Sequence, residues 1–510
     1  MNAARFDAAA PGVRSVELNK YLTPNPRPRH LARRPNPLSL FYSTTRNDMI
    51  PRTRIRTAVT ATFGTLAGLL ALTAAPAAHA ASCATPQWSS SPTANTSALQ
   101  SAITQCSGSS SSPGLIDLTV NNGVSTAVIT SVNLASNIVL KLEKGFTLKG
   151  SPGQPSGGAM LTGSGLGNVT ITGTGAIDGD GQSYWTSAVG QNNTARPKLI
   201  ALTGSNLQIG SNFTDAGKPQ AIVAFPSTSN DPGNALIIRN SPKEQLVIES
   251  GSKNVTIDGV WIYANPNRNA NGDDLAPNTD AIDIIGTQTA TIRNCLLDTG
   301  DDDIAIKSNA GGAATSNVTI SHCVVGGGHG ISIGGQEAAG HTLASPGVSQ
   351  VTVDTVQFSG TDFGYRIKTD QTAKDSGATT GVNYRNTCMR NVQQPFLFTY
   401  AYASGTGGDL PIIANVGIDN VIATATKTQG AIVGLSNSLM GVPKSGDTGI
   451  RITNSQITGG NAFTVSNGEL QVGGHSSVTT SIGSNGQVVP ITDTGATLAC
   501  PASITIPAQL

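Results

Sequence analysis

Apolar and polar side chains alternate over short stretches of this chain, and Gly, Asn and Asp break the stretches apart. A period of two predicts strands. After Leu166 one phrase keeps returning, as Asn168-Val169-Thr170-Ile171, Asn254-Val255-Thr256-Ile257, Thr291-Ile292, Asn317-Val318-Thr319-Ile320 and Val351-Thr352-Val353. Weaker copies stand at Val416-Gly417-Ile418 and Ile450-Arg451-Ile452. From Ile257 the key apolar position recurs at Ile292, Ile320, Val353, Tyr384, Ile418 and Ile452, in steps of 35, 28, 33, 31, 34 and 34 residues. Unequal repeats of this size, with two or three strands each and no leucine framework or helical period, predict a solenoid. The expected fold is all-β: a right-handed parallel β-helix whose coils stack ~4.8 Å apart around inward Val and Ile. A β-propeller would have more evenly sized blades and aromatic signatures. The first coil needs a cover, because an open strand edge is a liability. Residues 96–106 read as a short capping helix with Leu99, Ala102 and Ile103 on one face.

Composition fits that picture. The 59 glycines and 4% aromatic content suit many short strands and turns, and 38% hydrophobic residues exclude a disordered chain. The first 80 residues differ. Arg52, Arg54 and Arg56 precede an uncharged run from Thr57 to Ala77, which ends in Ala78-His79-Ala80. That is the layout of a secretory leader, so residues 49–80 are expected to be a signal peptide and the mature protein to be secreted. The run lacks a stop-transfer charge cluster, which argues against a membrane anchor. Residues 1–48, rich in Pro and Arg, are expected to be a non-native upstream extension or disordered, and residues 81–510 one parallel β-helix domain.

Removing the leader changes the charge. Residues 1–80 hold 11 of the 31 Lys and Arg and 3 of the 30 Asp and Glu, so residues 81–510 carry 20 basic and 27 acidic side chains, a net of −7. With no global basic field, composition excludes a nucleic-acid binder, and an anionic substrate would need local cations. Six cysteines remain. An exported chain can keep disulfides; Cys83 with Cys106 is the expected pair, while Cys295 and Cys323 occupy equivalent repeat positions and could equally be stacked buried thiols. No Cys/His spacing suggests zinc.

Only 12% of residues are charged, yet four polar clusters end successive strand runs: Asn278-Thr279-Asp280, Gly300-Asp301-Asp302-Asp303, Gly328-His329-Gly330 and Arg366-Ile367-Lys368. Asp301 lies nine residues after Ile292, and His329 nine after Ile320. Equivalent positions on stacked coils form a line on one face, so these side chains should converge. Glycoside hydrolysis needs one carboxyl group protonated and another ionised, and crowded carboxylates raise one another's pKa. Alternation puts Arg366 and Lys368 on one side of their strand, where they could neutralise a substrate carboxylate.

In this order on a β-helix, the four motifs resemble glycoside hydrolase family 28, the polygalacturonases, most strongly over residues 254–402. The resemblance implies a pectin-lyase-like solenoid and inverting hydrolysis of pectin or polygalacturonate. It makes Asp302 the general acid and Asp301 and Asp280 the activators of water, with His329 supporting the acid's protonation. Arg366 and Lys368 would grip galacturonate carboxylates; Asn278, from the residues themselves, is expected to be a positioning residue on the substrate side of the site or a turn former. A further family tyrosine falls on Tyr402, with Tyr400 as rival. The acid run is three long here, and Asp303 stands where relatives carry other residues. No cofactor or metal is implied, and a monomer is expected.

Other readings stay open. The mode could be endo, since Gly328-His329-Gly330-Ile331-Ser332-Ile333-Gly334 resembles the endo-acting members, or exo or rhamnogalacturonan-cleaving. A calcium-dependent pectate lyase and a non-enzymatic adhesin are also β-helices. Asp280, Asp301 and Asp302, with Asp273, Asp274 and Asp283 nearby, could bind calcium. Lys307 is a solvated charge or a substrate contact, His322 and His341 are structural or exposed, and Trp185, Trp261 and Tyr365 are sugar platforms or ordinary packing.

Overall fold

The computed structural model describes residues 82–509 except 153–157, 189–195, 221–233, 309–311, 335–345, 370–376, 403–409, 445, 496–498, 502–503 and 505–508, all within the unit 75–510. The expected leader, the upstream extension and His341 lie outside the described residues.

Every pairing between the named strands is parallel, which excludes antiparallel propeller blades and gives the β-helix. Each coil passes through three sheets. In one coil, the strand Gln288–Asp298 bends at Asn294, so residues 288–293 lie in the first sheet and 296–297 in the second, while Ile304–Lys307 lies in the third. The repeat read from the sequence is the register of the first sheet. Ile257 pairs with Ile292, then Ile320, Val353, Tyr384, Ile418 and Ile452 in turn. All seven are fully buried, in one core that runs from Trp88 to Leu470.

The Asn that opens several of these phrases has a structural reason. Asn168, Asn206, Asn254, Asn317 and Asn415 all have φ between 54° and 58°. Asn tolerates this left-handed conformation better than most residues. The side chains also form a ladder, with Nδ2 of Asn168 donating to Asn137, Asn206 to Asn168, and Asn254 to Asn206.

The capping helix spans Pro92–Gln105, four residues earlier at its start than the apolar pattern indicated. Ser91 caps it by accepting from Ala94 N, and Pro occupies the first turn, where its missing N–H costs nothing. Leu99, Ala102 and Ile103 are buried as expected. Gln100 exchanges two hydrogen bonds with the Asn133 backbone, and Asn95 donates to Val128 O, so the helix closes the strand edges beneath it.

Cys83 and Cys106 form the expected disulfide, and Cys388 pairs with Cys500. Cys295 and Cys323 are free, buried thiols in adjacent coils. The second bridge fastens the C-terminal segment across the second sheet. There Arg390 donates to Pro501 O, and Ile504 packs against Trp261, Tyr263, Leu296 and Val324.

Candidate active site

The strands of the third sheet carry the site. Ile282, Ile304, Ile331 and Tyr365 are register partners on consecutive coils. Two residues earlier on three of these coils stand Asp280, Asp302 and His329. The equal nine-residue counts therefore misplace Asp301: the turn from Leu297 to Ile304 is one residue longer than that from Val325 to Ile331, so Asp302 takes the position equivalent to His329.

Local chemistry builds each turn. Thr279, fully buried, donates to Ala276 O and accepts from Gly300 N, so the middle residue of Asn-Thr-Asp holds the next coil's acid turn. His329 sits between two glycines with positive φ, 83° at Gly328 and 71° at Gly330. A Cβ on either would lie 2.5 Å from Asp301 O or 2.1 Å from Phe363 O, so both must be Gly. Asp303 accepts from Gly330 N (3.0 Å) and from Thr299 Oγ1 (3.4 Å) and is wholly buried; it braces the histidine turn and does not face the groove.

Asp301 is held from two sides. Asn278, itself at φ 58°, donates to Asp301 Oδ2 from its backbone N (3.2 Å) and its Nδ2 (3.4 Å). His329 Nδ1 lies 3.0 Å from Asp301 Oδ1. Burial disfavours the Asp301 carboxylate, but the hydrogen bond and charge of His329 outweigh it and lower the carboxyl; reciprocally, burial opposes His329 protonation while Asp301 raises it.

Asp302 is 2% exposed and ringed by donors. Ser332 Oγ (2.8 Å) and Arg366 donate to Oδ1, and Lys368 Nζ (2.9 Å) to Oδ2. Tyr365 and Ile367 enter the core, so alternation turns Arg366 and Lys368 to the acid. Burial opposes ionisation, yet these two cations hold the Asp302 carboxyl far below the usual range. Crowding has its expected effect elsewhere. Burial and then Asp283 push Asp280 well above the usual range against the pull of Lys307, and burial and then Asp298 do the same to Asp303.

The geometry thus joins Asn278, Asp280, Asp301, Asp302, His329, Arg366 and Lys368. The Tyr402 ring is 53% exposed with Lys368 Nζ 4.6 Å from its centroid, whereas Tyr400 is buried and donates to Pro411 O. Trp185, Trp261 and Tyr365 are packing residues, 2%, 0% and 0% exposed. His322 is exposed at a left-handed turn. Sequence reasoning missed several partners. Arg268 pairs with Asp274 and Asp362 and approaches His329 Nε2 (3.1 Å), and Arg196 donates to Asn278 Oδ1 (2.7 Å). Lys307, read from the sequence as a solvated charge or a substrate contact, is instead ion-paired with Asp280 and Asp283. Only the charge of these side chains could have flagged them, because all their partners but Asp274 lie far away in sequence, on other coils.

Donor atoms of Asp301, Asp302 and His329 lie within 4.8 Å of one another, a spacing that could hold a metal. The donors already on Asp302 include two buried cations, which disfavour adding a third positive charge. Two joined cavities flank His329. One of about 230 Å³ reaches Pro266, Asp274 and Gly300, and one of about 410 Å³ runs past Phe363 and Gln394 to Lys427 and Asn461. Asp302, Arg366 and Lys368 are not in their linings.

Comparison with known proteins fits this arrangement. An endo-polygalacturonase of Pectobacterium parmentieri is 30% identical over 342 residues, 61% of this chain and 73% of the relative. One from Pectobacterium carotovorum subsp. carotovorum is 32% identical over 210 residues, 38% of this chain and 48% of the relative. Among solved structures, a polygalacturonase from Erwinia carotovora ssp. carotovora has a TM-score of 0.52 at 24% identity, covering 82% of this chain and 97% of that one. An exopolygalacturonase from Thermotoga maritima has a TM-score of 0.58 at 19% identity, covering 76% and 88%. These two likenesses establish the parallel β-helix. Residues 111–472 match the glycosyl hydrolases family 28 as a family, and with the four motifs converged on one face of the third sheet, the chain belongs to that family of glycoside hydrolases.

Proposed function

We propose that the chain is an exported endo-polygalacturonase, which hydrolyses internal α-1,4-galacturonosyl linkages of polygalacturonate with inversion. The observation that carries this reading is the cation pair Arg366 and Lys368, buried on Asp302 beside the exposed ring of Tyr402. Asp302 donates the proton to the leaving oxygen, while Asp280 and Asp301 orient and deprotonate water on the opposite face. Without substrate, Asp302 is ionised, so it cannot yet act as an acid. A galacturonate carboxylate that draws Arg366 and Lys368 onto itself removes the charges that hold Asp302 ionised, and the acid then takes up its proton. A methyl-esterified unit lacks that charge and leaves Asp302 unprotonated, so de-esterified chains are the preferred substrate.

The endo mode is supported by the names of two relatives and by the cavity that continues from His329 to Asn461. Export is supported by the two disulfides, which persist in oxidising compartments. Among the described residues no helix is long and apolar enough to cross a membrane.

The test is cleavage of polygalacturonate, followed by viscosity and reducing ends together, with the product anomer read by NMR. A fast viscosity fall with inverted products is expected. Release of mono- or digalacturonate alone would refute the endo mode, and unsaturated products would refute hydrolysis. A second reading exchanges the roles of Asp280 and Asp302, favoured by the raised Asp280 carboxyl. An aryl galacturonide with an activated leaving group separates the two, since only the variant lacking the proton donor recovers rate on it.

A further inference from the structure

Lys307 ends the strand Ile304–Lys307, whose Ile304 and Ile306 enter the core, so alternation turns Lys307 to the same face as the acids. Its Nζ lies 3.3 Å from Asp280 Oδ2 and 3.1 Å from Asp283 Oδ2. Both carboxylates are buried, at 7% and 2% exposure, while the Lys307 side chain is 21% exposed. Asp283 stands in register with Ala305, a small residue that leaves room on this face between Asp283 and Ser332.

We infer that Lys307 is a positioning residue for the reaction: its ammonium bridges Asp280 and Asp283, orients Asp280 toward the attacking water and offsets part of the negative charge of the neighbouring acids. This rests on the assignment of Asp280 as base. Burial and Asp283 raise the Asp280 carboxyl against the pull of Lys307; without that ammonium they would raise it further, and a protonated Asp280 cannot accept a proton from water. The charged groups acting on Asp280 are Asp283, Lys307, Asp301 and Asp302, with Glu244 and Lys198 acting on the Asp283 and Lys307 side. Lys307 is the cation that opposes the three neighbouring acids there, and burial makes its effect larger than that of a surface pair. Asp280 and Asp283 in turn hold Lys307 charged despite its burial.

The test is the pH dependence of kcat on polygalacturonate for the full chain, Lys307→Met, Lys307→Arg and Asp283→Asn. An opposite charge this near lowers a carboxyl by about 1–3 units. Lys307→Met should therefore move the acid limb up by about 1–3 pH units, with much of the rate recovered above the new limb. Lys307→Arg should keep the wild-type limb. Asp283→Asn, which removes a like charge from Asp280, should move the limb down. A uniform loss of kcat at every pH in Lys307→Met, with the limb unmoved, would overturn the inference and leave Lys307 a structural ion pair. A shift of the alkaline limb instead would make Asp280 the proton donor and also overturn it. If the wild-type protein fails to cleave polygalacturonate at all, the fault lies with the functional reading; an unmoved limb in an active enzyme faults Lys307 alone. Should Lys307→Met fold poorly, Asp283→Asn carries the opposite-sign test.

Discussion

Replacing Asp302 by Asn probes the site's electrostatics and its chemistry together. The carboxylate is 2% exposed, and Arg366 and Lys368 are each 5% exposed, so solvent screens the three charges little. Asn keeps the shape and one acceptor oxygen, but its amide NH₂ must face one of the donors. Breaking a buried pair by removing one partner costs about 3–5 kcal/mol, because the remaining charge stays buried. Here two cations are stranded and one acceptor is retained, so a loss in that range is expected. It should appear as a lower urea midpoint at unchanged slope. The pH dependence has a definite sign. Arg366 and Lys368 overcome burial and depress the folded Asp302 carboxyl, so its stabilisation is present above the unfolded value of about 4 and lost as pH falls through the lower folded value. The stability gap between wild type and Asp302→Asn should be widest near neutral pH and close below about pH 4. Adding Lys368→Met should restore part of the loss, since one stranded cation disappears. Reducing-end assays should show a rate loss of about 10²–10⁴-fold for Asp302→Asn. Equal stability at neutral pH, or a gap that widens on acidification, would refute the account of the triad.

Three further outcomes are expected. Burial and Asp298 raise Asp303, whose stabilisation is therefore full below about pH 4 and lost as pH rises through its higher folded value; Asp303→Asn should match wild type in acid and gain on it as pH rises in thermal unfolding, and a variant that falls behind would contradict this. Cys388→Ser opens a bridge with a sequence separation of 112. In the chain-entropy account a loop of about 100 residues is worth about 4.7 kcal/mol, so the variant should unfold earlier than wild type, and reduced wild type, which loses Cys83–Cys106 as well, should unfold earlier still. Ile320→Ala, at a fully buried coil position, should cost about 2–5 kcal/mol in urea unfolding, and a cost below 1 kcal/mol would mean the column of stacked side chains is loosely packed.

The fold was legible because its signal is repeated. In a solenoid each inward residue must stack on an inward residue of the next coil, so the positions from Ile257 to Ile452 had to be apolar whatever the turns between them did. Cys83–Cys106 was readable for a related reason, since both cysteines bracket one short segment. Cys388–Cys500 was not, because its partners are brought together by a tail that crosses several coils.

The motifs themselves, Asn278-Thr279-Asp280 through Lys368, were set by sequence, and so was their placement on one face. Tertiary structure decided what they do to one another. One extra residue in a turn moved Asp302, not Asp301, into line with His329. Side chains as far apart in sequence as Arg366 and Asp302, or Arg196 and Asn278, became contacts. The sequence reading expected crowded acids to raise one another, yet it is the buried cations that settle Asp302, while Lys307 opposes the crowding at Asp280. Periodicity is a local property that survives variation in turn length, whereas a carboxyl's charge depends on distances between coils and on solvent exclusion, which no single stretch of sequence contains.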